Sequence, residues 1–203
     1  MSYSAEFEIV DLIRNSSSET RGIDAFSLSL IKTERQMRRL FTYLIYQFPC
    51  FGAADIYSLR ETLGGNDKVY FKGVERGFNA LYPRSIENLI GPSYPHLCAR
   101  IKDATDYRNK IFHGQLTMKY LSRDDLFKFV DDIRLWCKTL ATAALSEIGY
   151  DGFARNSFQK SPNLELSKHF KVQFGCVDDY AKFIREYIER YRKKCNLLTS
   201  TES

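Results

Sequence analysis

Apolar residues recur at helical spacing over two long stretches of the chain. In residues 24–48 the apolar stripe continues for about six turns, as expected for an amphipathic helix that begins at the N-cap Asp24 and ends before Pro49. Its apolar members are Phe26, Leu30, Met37, Phe41, Leu44, Ile45 and Phe48. A second stripe in residues 122–148 follows Ser122 and Asp125, which have the spacing of a capping box. Both patterns predict long helices that bury one face.

Shorter amphipathic segments and breaker residues fill the rest of the chain. Short apolar stripes predict further helices in residues 7–13, 53–63, 69–82 and 177–195. Gly64 and Gly65 mark a turn without the Lys and Ser or Thr of a phosphate-binding loop. Weak alternation in residues 164–174 predicts a short strand or a hairpin arm.

These elements predict an all-α fold, apart from that one short β element. We expect a helical bundle over residues 24–148, in which the long helices pack against each other. Residues 1–23 are expected to form an N-terminal arm or short helix. Residues 149–203 are expected to form a linker and a C-terminal helical extension that packs on the bundle or on a second copy.

Composition limits the class of protein. The chain has 203 residues, 44% of them hydrophobic and 27% charged, which is typical of a globular domain. Its net charge of +5 is mildly basic and compatible with nucleic acid. The five cysteines are widely spaced without a CxxC pair, so we expect free thiols in a reducing cytoplasm. Residues 1–10 carry Glu6 and Glu8 where a secretory signal has a basic start and an apolar core, so we expect no such signal. We expect no membrane contact, because no apolar run approaches the length of a membrane span.

One segment carries most of the candidate chemistry. Residues 108–113 read Arg-Asn-Lys-Ile-Phe-His and are followed by Gly114, a common signal for the end of a helix. We refer to these six residues as the motif. At about 100° per residue, its polar members share one helix face with Asp106. That polar face comprises Asp106, Asn109, Lys110 and His113, and the opposite apolar face comprises Leu97, Ile101, Ala104, Ile111 and Phe112.

Arg108 does not lie on the polar face of this predicted helix. It precedes His113 by five residues, which places the two side chains roughly 140° apart, with Arg108 in the apolar stripe. Two arrangements bring them together. Either the helix loosens near Gly114 so that the arginine wraps around it, or a second copy of the chain completes the site.

The motif resembles that of the HEPN superfamily (higher eukaryotes and prokaryotes nucleotide-binding), in which an Arg and a His separated by four residues lie near the end of a helix. The resemblance implies a HEPN-like bundle with Arg108 and His113 as the catalytic pair and Asn109 as an auxiliary residue. It also implies a homodimer in which two motifs face each other across one cleft, without a cofactor or a metal ion. Some relatives carry a Tyr two residues after the His, whereas this chain has Gln115, which argues against control through such a tyrosine.

What the resemblance implies about activity is cleavage of RNA. Members of the superfamily include metal-independent endoribonucleases of toxin–antitoxin, abortive-infection and CRISPR-linked systems. We therefore expect an RNA substrate, a defence or growth-arresting role, and regulation by an antitoxin or another protein. Imidazole can transfer protons near neutral pH, and guanidinium holds phosphate oxygens with a permanent charge. The expected products carry a 2′,3′-cyclic phosphate, or its 3′-phosphate hydrolysis product, and a 5′-hydroxyl.

A non-catalytic interpretation fits the same residues. Arg108 then pairs with a buried carboxylate, and His113 is favoured by the dipole at the helix C-terminus. The chain would in that case be a HEPN-like helical module that binds nucleotides, RNA or a protein. For His96, which has no ligand-like partner nearby in the sequence, we expect a structural role.

Two groups of basic residues have both a structural and a functional interpretation. The first lies on the polar face of the 24–48 helix and comprises Lys32, Arg35, Arg38 and Arg39. It is either a solvated face or a contact to the RNA backbone. The second is interleaved with aromatic residues in the 177–195 helix, which either packs or stacks single-stranded RNA.

Overall fold

The computed structural model describes residues 3–65, 71–114, 121–153 and 156–189, and these ranges contain helices and no strand. The α-helices are α1 (Tyr3–Arg14), α2 (Arg21–Tyr46), α3 (Ile56–Gly64), α4 (Phe71–Leu81), α5 (Ile86–Ile90), α6 (Tyr94–Phe112), α7 (Arg123–Ile148) and α8 (Val177–Phe183). Short 3-10 helices lie at Ala53–Asp55, Gly91–Ser93 and Leu166–His169, and a π-helix at Ile184–Glu189. The expected all-α fold is confirmed.

The chain divides into two compact units, each built from two segments. The first unit contains Met1–Gln36 and Glu87–Arg155, and the second contains Met37–Ile86 and Asn156–Ser203. This partition differs from the domain boundaries expected from the sequence at residues 23/24 and 148/149, which stay a prediction.

In the first unit, α6 and α7 pack antiparallel through paired rings. Tyr94 near the start of α6 contacts Trp136 with ring centroids 5.8 Å apart, whereas Tyr107 near its end contacts Phe129 at 5.6 Å. As the α6 residue number rises, that of its α7 partner falls, so the two helices run in opposite directions. Phe26 of α2 packs on Phe129 as well, with ring centroids at 5.7 Å, so three helices share this part of the core.

Local sequence signals set the ends of α6 and α7. The Ser122 hydroxyl accepts a hydrogen bond from the Asp125 N–H at 3.2 Å, and the Asp125 carboxylate accepts one from the Ser122 N–H at 3.3 Å. The expected capping box is thereby confirmed. Gly114, with φ of 64°, and Gly149, with φ of 74°, follow the two helices in the left-handed conformation that glycine adopts at little cost.

The second unit has an aromatic core. The ring centroids of Phe48 and Phe174 lie 4.5 Å apart, and Phe170 contacts Phe48 at 5.3 Å. The Lys160 ammonium donates to the carbonyl oxygens of Tyr46 and Phe48 at 2.5 and 2.8 Å, which satisfies acceptors at the end of α2. Burial lowers the pKa of Lys160 there.

Two local expectations were wrong. Residues 164–174 form no strand: Leu166, Phe170 and Phe174 are buried at a spacing of four, and a 3-10 helix occupies Leu166–His169. Asp24 is not the N-cap of α2, because that helix begins at Arg21 and the Asp24 carboxylate accepts a hydrogen bond from Thr20 Oγ1 at 2.7 Å. The helix starts one turn earlier than the apolar stripe indicates.

Several expectations fall on residues that the structure does not describe. These are residues 69 and 70 at the start of the predicted 69–82 helix, Gln115, and residues 190–195 at the end of the predicted C-terminal helix. Over the ranges that are described, no helix combines the length and the apolar character that crossing a membrane requires.

Candidate functional site

The motif lies at the C-terminal end of α6 and includes the cap residue His113. The most firmly packed part of the helix precedes it. Leu97, Ile101 and Ala104 form the buried face of α6, with exposed fractions between 0 and 2%. Beyond Ala104 no residue of α6 is fully buried. The packed portion therefore fixes the direction of α6, and the motif extends beyond it toward the surface.

Asn109 and His113 are exposed on this free end. They are four residues apart, so their side chains lie on the same face of α6, next to exposed Asp106 and half-buried Lys110. The His113 N–H donates to the Asn109 carbonyl oxygen at 3.1 Å, which continues the helical hydrogen-bond pattern to the cap residue. Both side chains are thus accessible to a ligand from solvent.

Arg108 lies on the inner side of α6 and pairs with Glu34 of α2. Its Nη2 donates to Glu34 Oε1 at 3.2 Å, and the two side chains are 20 and 29% exposed. The buried Nε of Arg108 has no hydrogen-bond partner among the described residues. This ion pair is the arrangement that the non-catalytic interpretation expects, although it uses a single nitrogen of the guanidinium fork.

A single copy of the chain does not bring Arg108 and His113 together on one face. α6 stays helical through Phe112, and the hydrogen bond to Asn109 keeps His113 in helical register. The loosening of the helix end that would let the arginine wrap around is therefore not observed. The other arrangement considered from the sequence, in which a second copy completes the site, stays a prediction.

The aromatic residue of the motif is not part of the buried face. We expected Phe112 on the apolar side of α6, but its side chain is 64% exposed. The buried part of the stripe ends at Ala104, and Phe112 lies about 12 Å further along the helix axis, beyond the surface that covers the stripe. An exposed ring thus lies in the same helical turn as the candidate catalytic residues.

At the opposite end of α6, the side chain of His96 is 68% exposed and lies beside a carboxylate of α7, and the structural role expected for it stays a prediction. Its Nε2 lies 3.7 Å from Asp132 Oδ1, and Arg100 binds the other oxygen of the same carboxylate at 2.6 Å. The guanidinium of Arg100 also lies 3.7 Å above the ring of Phe129. This cluster joins α6 to α7, and its partner Asp132 is too distant in sequence to have been recognised.

Two of the basic residues of α2 hold α1 in place. Glu6 of α1 is 3% exposed, and its Oε1 accepts from Lys32 at 3.2 Å and from Arg35 at 2.9 Å. A buried carboxylate requires such partners because an unpaired charge is costly to bury. Lys32, whose side chain is 10% exposed, is therefore neither solvated nor open to phosphate, whereas the side chain of Arg35 is 53% exposed and stays solvated.

Two of the described cysteines lie at one cavity. Cys50 and Cys176 line a cavity of about 330 Å³ in the second unit, together with Asp55 and Asp178. Burial raises the pKa of the Cys50 thiol, whose Sγ donates to the Phe174 carbonyl oxygen at 3.2 Å. Within the described ranges, no three His, Cys, Asp or Glu side chains are grouped as ligands of a metal ion.

Comparison of the chain with protein-family models, with characterised proteins and with solved structures finds no match.

Proposed function

We propose that the chain is a metal-independent endoribonuclease of HEPN type, with an active site completed by a second copy. Arg108 would hold the scissile phosphate, His113 would transfer protons, and Asn109 would orient the phosphate or the imidazole through its amide. The observation that carries the proposal is the exposure of Asn109 and His113 in the last turn of a helix whose other half is firmly packed.

Charge supports an anionic substrate at this end of α6. Residues 107–114 contain the cations Arg108 and Lys110 and no carboxylate, although Asp106 shares their helix and Glu34 of α2 pairs with Arg108. The C-terminal end of a helix presents carbonyl oxygens, which repel phosphate. Any phosphate bound there must therefore be held by side chains, as this cationic segment allows.

The proposed reaction is transesterification followed by hydrolysis. An imidazole takes the proton of the 2′-hydroxyl, and O2′ attacks phosphorus while the bond from phosphorus to O5′ breaks. Guanidinium groups stabilise the negative charge on the phosphorane, and the second imidazole of the dimer protonates the departing O5′. The products are a 2′,3′-cyclic phosphate, which water opens to a 3′-phosphate, and a 5′-hydroxyl.

The test is cleavage of mixed single-stranded RNA in EDTA. We expect wild type to yield cyclic-phosphate and 5′-hydroxyl ends, and His113→Ala and Arg108→Ala to cleave at least about 100-fold more slowly. His96→Ala is the matched control, because it removes a histidine of α6 that lies outside the motif. Equal cleavage by all four proteins would indicate a contaminant, and absence of cleavage by wild type would contradict the proposal.

A second candidate function is a non-catalytic helical module that binds nucleotides, RNA or a protein. The ion pair between Arg108 and Glu34 favours it, since a carboxylate occupies part of the guanidinium that a phosphate would need. In the same assay this candidate predicts RNA bound without cleavage, and equal binding by wild type and His113→Ala.

For the cellular role we propose growth arrest or antiviral defence, restrained by an antitoxin or another regulatory protein. Overexpression should then slow growth, and His113→Ala should relieve that effect at equal protein level. Toxicity that persists in His113→Ala would have a cause other than RNA cleavage.

A further inference from the structure

The ring of Phe112 is exposed beside the candidate catalytic residues. It is 64% exposed and is the last residue of α6, whereas its neighbour Ile111 is half-buried. A large aromatic side chain left in water forgoes the free energy of burial, about 1.5–3 kcal/mol for a phenylalanine. A ligand that covers this ring would recover part of that free energy.

Helix geometry places this ring between the two proposed catalytic groups. Measured around the axis from Arg108, Phe112 lies at about 40°, Asn109 at about 100° and His113 at about 140°. Phe112 and Arg108 are also four residues apart and thus neighbours along one face. A flat ligand stacked on Phe112 would have the guanidinium on one side and the imidazole on the other.

We infer that Phe112 is a base-stacking subsite that selects single-stranded RNA, an inference that rests on the proposed nuclease function. A nucleotide joins a flat aromatic base to an anionic phosphate, and this turn of α6 offers an exposed ring flanked by Arg108, Lys110 and His113. Bases stack on aromatic side chains with little preference for sequence. Paired bases inside a duplex are already stacked on their neighbours, so the subsite requires an unpaired base.

The charge around the ring favours RNA over a second copy of the chain as its occupant. In the proposed dimer, where two motifs face each other across one cleft, Arg108 and Lys110 of both copies place positive charges at that cleft. An RNA strand supplies phosphates that neutralise those charges. Burial of the ring between two copies is the competing outcome that the experiment below distinguishes.

The experiment measures binding of a single-stranded 2′-O-methyl RNA, which cannot be cleaved because its 2′-oxygen is blocked. Stacking by one base predicts that Phe112→Ala raises the Kd by about tenfold or more. Phe112→Trp should restore the affinity, and Phe112→Leu should not, because leucine is apolar but cannot stack. Tyr57→Ala is the matched control, since Tyr57 is an aromatic residue of α3 that is 73% exposed. The same sequence as a duplex should bind equally to wild type and Phe112→Ala.

Several results would overturn the inference. They are an unchanged Kd for Phe112→Ala, full rescue by Phe112→Leu, no binding of this RNA by wild type, or an equal loss of duplex binding. If wild type is a dimer and Phe112→Ala is a monomer, while each copy binds the RNA with unchanged affinity, the ring belongs to an interface between two copies.

The fate of the proposed nuclease function is read separately, from cleavage of ordinary RNA. If wild type binds through Phe112 but does not cleave, the subsite stands and the nuclease fails. If His113→Ala abolishes cleavage while Phe112→Ala binds as wild type does, the nuclease stands and the subsite fails.

Discussion

Arg100 and Arg108 lie on the same helix, both are largely buried, and both pair with a carboxylate, yet their surroundings differ. Arg100 binds Asp132 at 2.6 Å and stacks on Phe129 at 3.7 Å. Arg108 makes one hydrogen bond, at 3.2 Å, to Glu34, and its buried Nε has no partner in the described part of the chain. Arg100 joins two helices through both its charge and its flat face, whereas Arg108 keeps part of its donor fork unused. The comparison divides α6 into a structural half that packs on α7 and an exposed half that ends with the exposed side chains of Asn109, Phe112 and His113.

The largest expected effect is on the free energy of unfolding. It distinguishes Phe129, which packs on the structural half of α6, from Phe112 at the exposed end. Phe129 is 3% exposed and contacts Phe26, Tyr107 and Arg100. Phe129→Ala should lower the free energy of unfolding by about 3–5 kcal/mol through the cavity that it leaves. Phe112→Ala should change it by less than about 0.5 kcal/mol, because the ring is exposed. Urea denaturation of the two variants measures both values, and similar losses would remove the distinction between the halves.

The next effect concerns the arginines themselves. Lysine keeps the positive charge but loses the planar fork and the stacking face. Arg108→Lys should slow RNA cleavage by about tenfold or more and leave the unfolding free energy nearly unchanged. Arg100→Lys should do the reverse and cost about 0.5–2 kcal/mol of stability, the range for a cation over an aromatic ring. If Arg108→Lys lost more stability than Arg100→Lys while cleavage persisted, Arg108 would be the structural arginine.

A smaller effect is expected from the partner of Arg108. Glu34→Gln keeps the shape of the side chain and removes its charge. Because the ion pair is partly exposed, the change should cost about 0–1 kcal/mol of stability. Cleavage should be retained, since the proposed phosphate contact is made by Arg108 and not by Glu34. Loss of activity as complete as that of Arg108→Ala would show that Glu34 is required in the site, and a loss of several kcal/mol would favour the structural role of Arg108.

The last prediction concerns how stability depends on alkaline pH, and at neutral pH the effect is absent. It involves a buried residue of α7, the helix on which the structural half of α6 packs. Burial raises the pKa of the Cys137 thiol on α7 to about 12 from the ordinary 9.0. Below pH 9 the thiol is protonated in both the folded and the unfolded chain. The stability that the folded chain gains by burying the thiol in its neutral form is then fully present. Above pH 9 the unfolded chain loses this proton first, and the contribution is lost as the pH rises toward 12. Cys137→Ser should make the unfolding free energy fall less steeply over this range, and an unchanged slope would contradict the prediction.

Whether an element could be predicted from the sequence depends on whether residues close to each other in the chain determine it. The capping box at Ser122 and Asp125 and the helix end at Gly114 were predicted because a few adjacent residues determine them. The prediction of a strand at residues 164–174 is wrong because Phe170 and Phe174 pack on Phe48. In the sequence, their spacing of four is also compatible with the alternation of a strand. Tertiary contacts set the burial there.

The candidate site shows the same limit. The polar face with Asn109 and His113 follows from helix periodicity within α6. The pairing of Arg108 with Glu34 does not, since 74 residues separate them and no local pattern links them. The exposure of Phe112 was missed for a related reason. Periodicity says which side of a helix a residue faces, but not where the surface that covers that side ends.

The most direct test of the account uses mixed dimers purified through two different affinity tags. The mixed dimer joins wild type to a chain with both Arg108→Ala and His113→Ala, so that only one copy keeps the arginine and the histidine. Because the proposed reaction uses both imidazoles of the dimer, this mixed dimer should cleave RNA in EDTA at least about 100-fold more slowly than the wild-type dimer. Half of the wild-type cleavage rate would mean that each copy carries a complete site of its own and would contradict the account, as would a chain that forms no dimer.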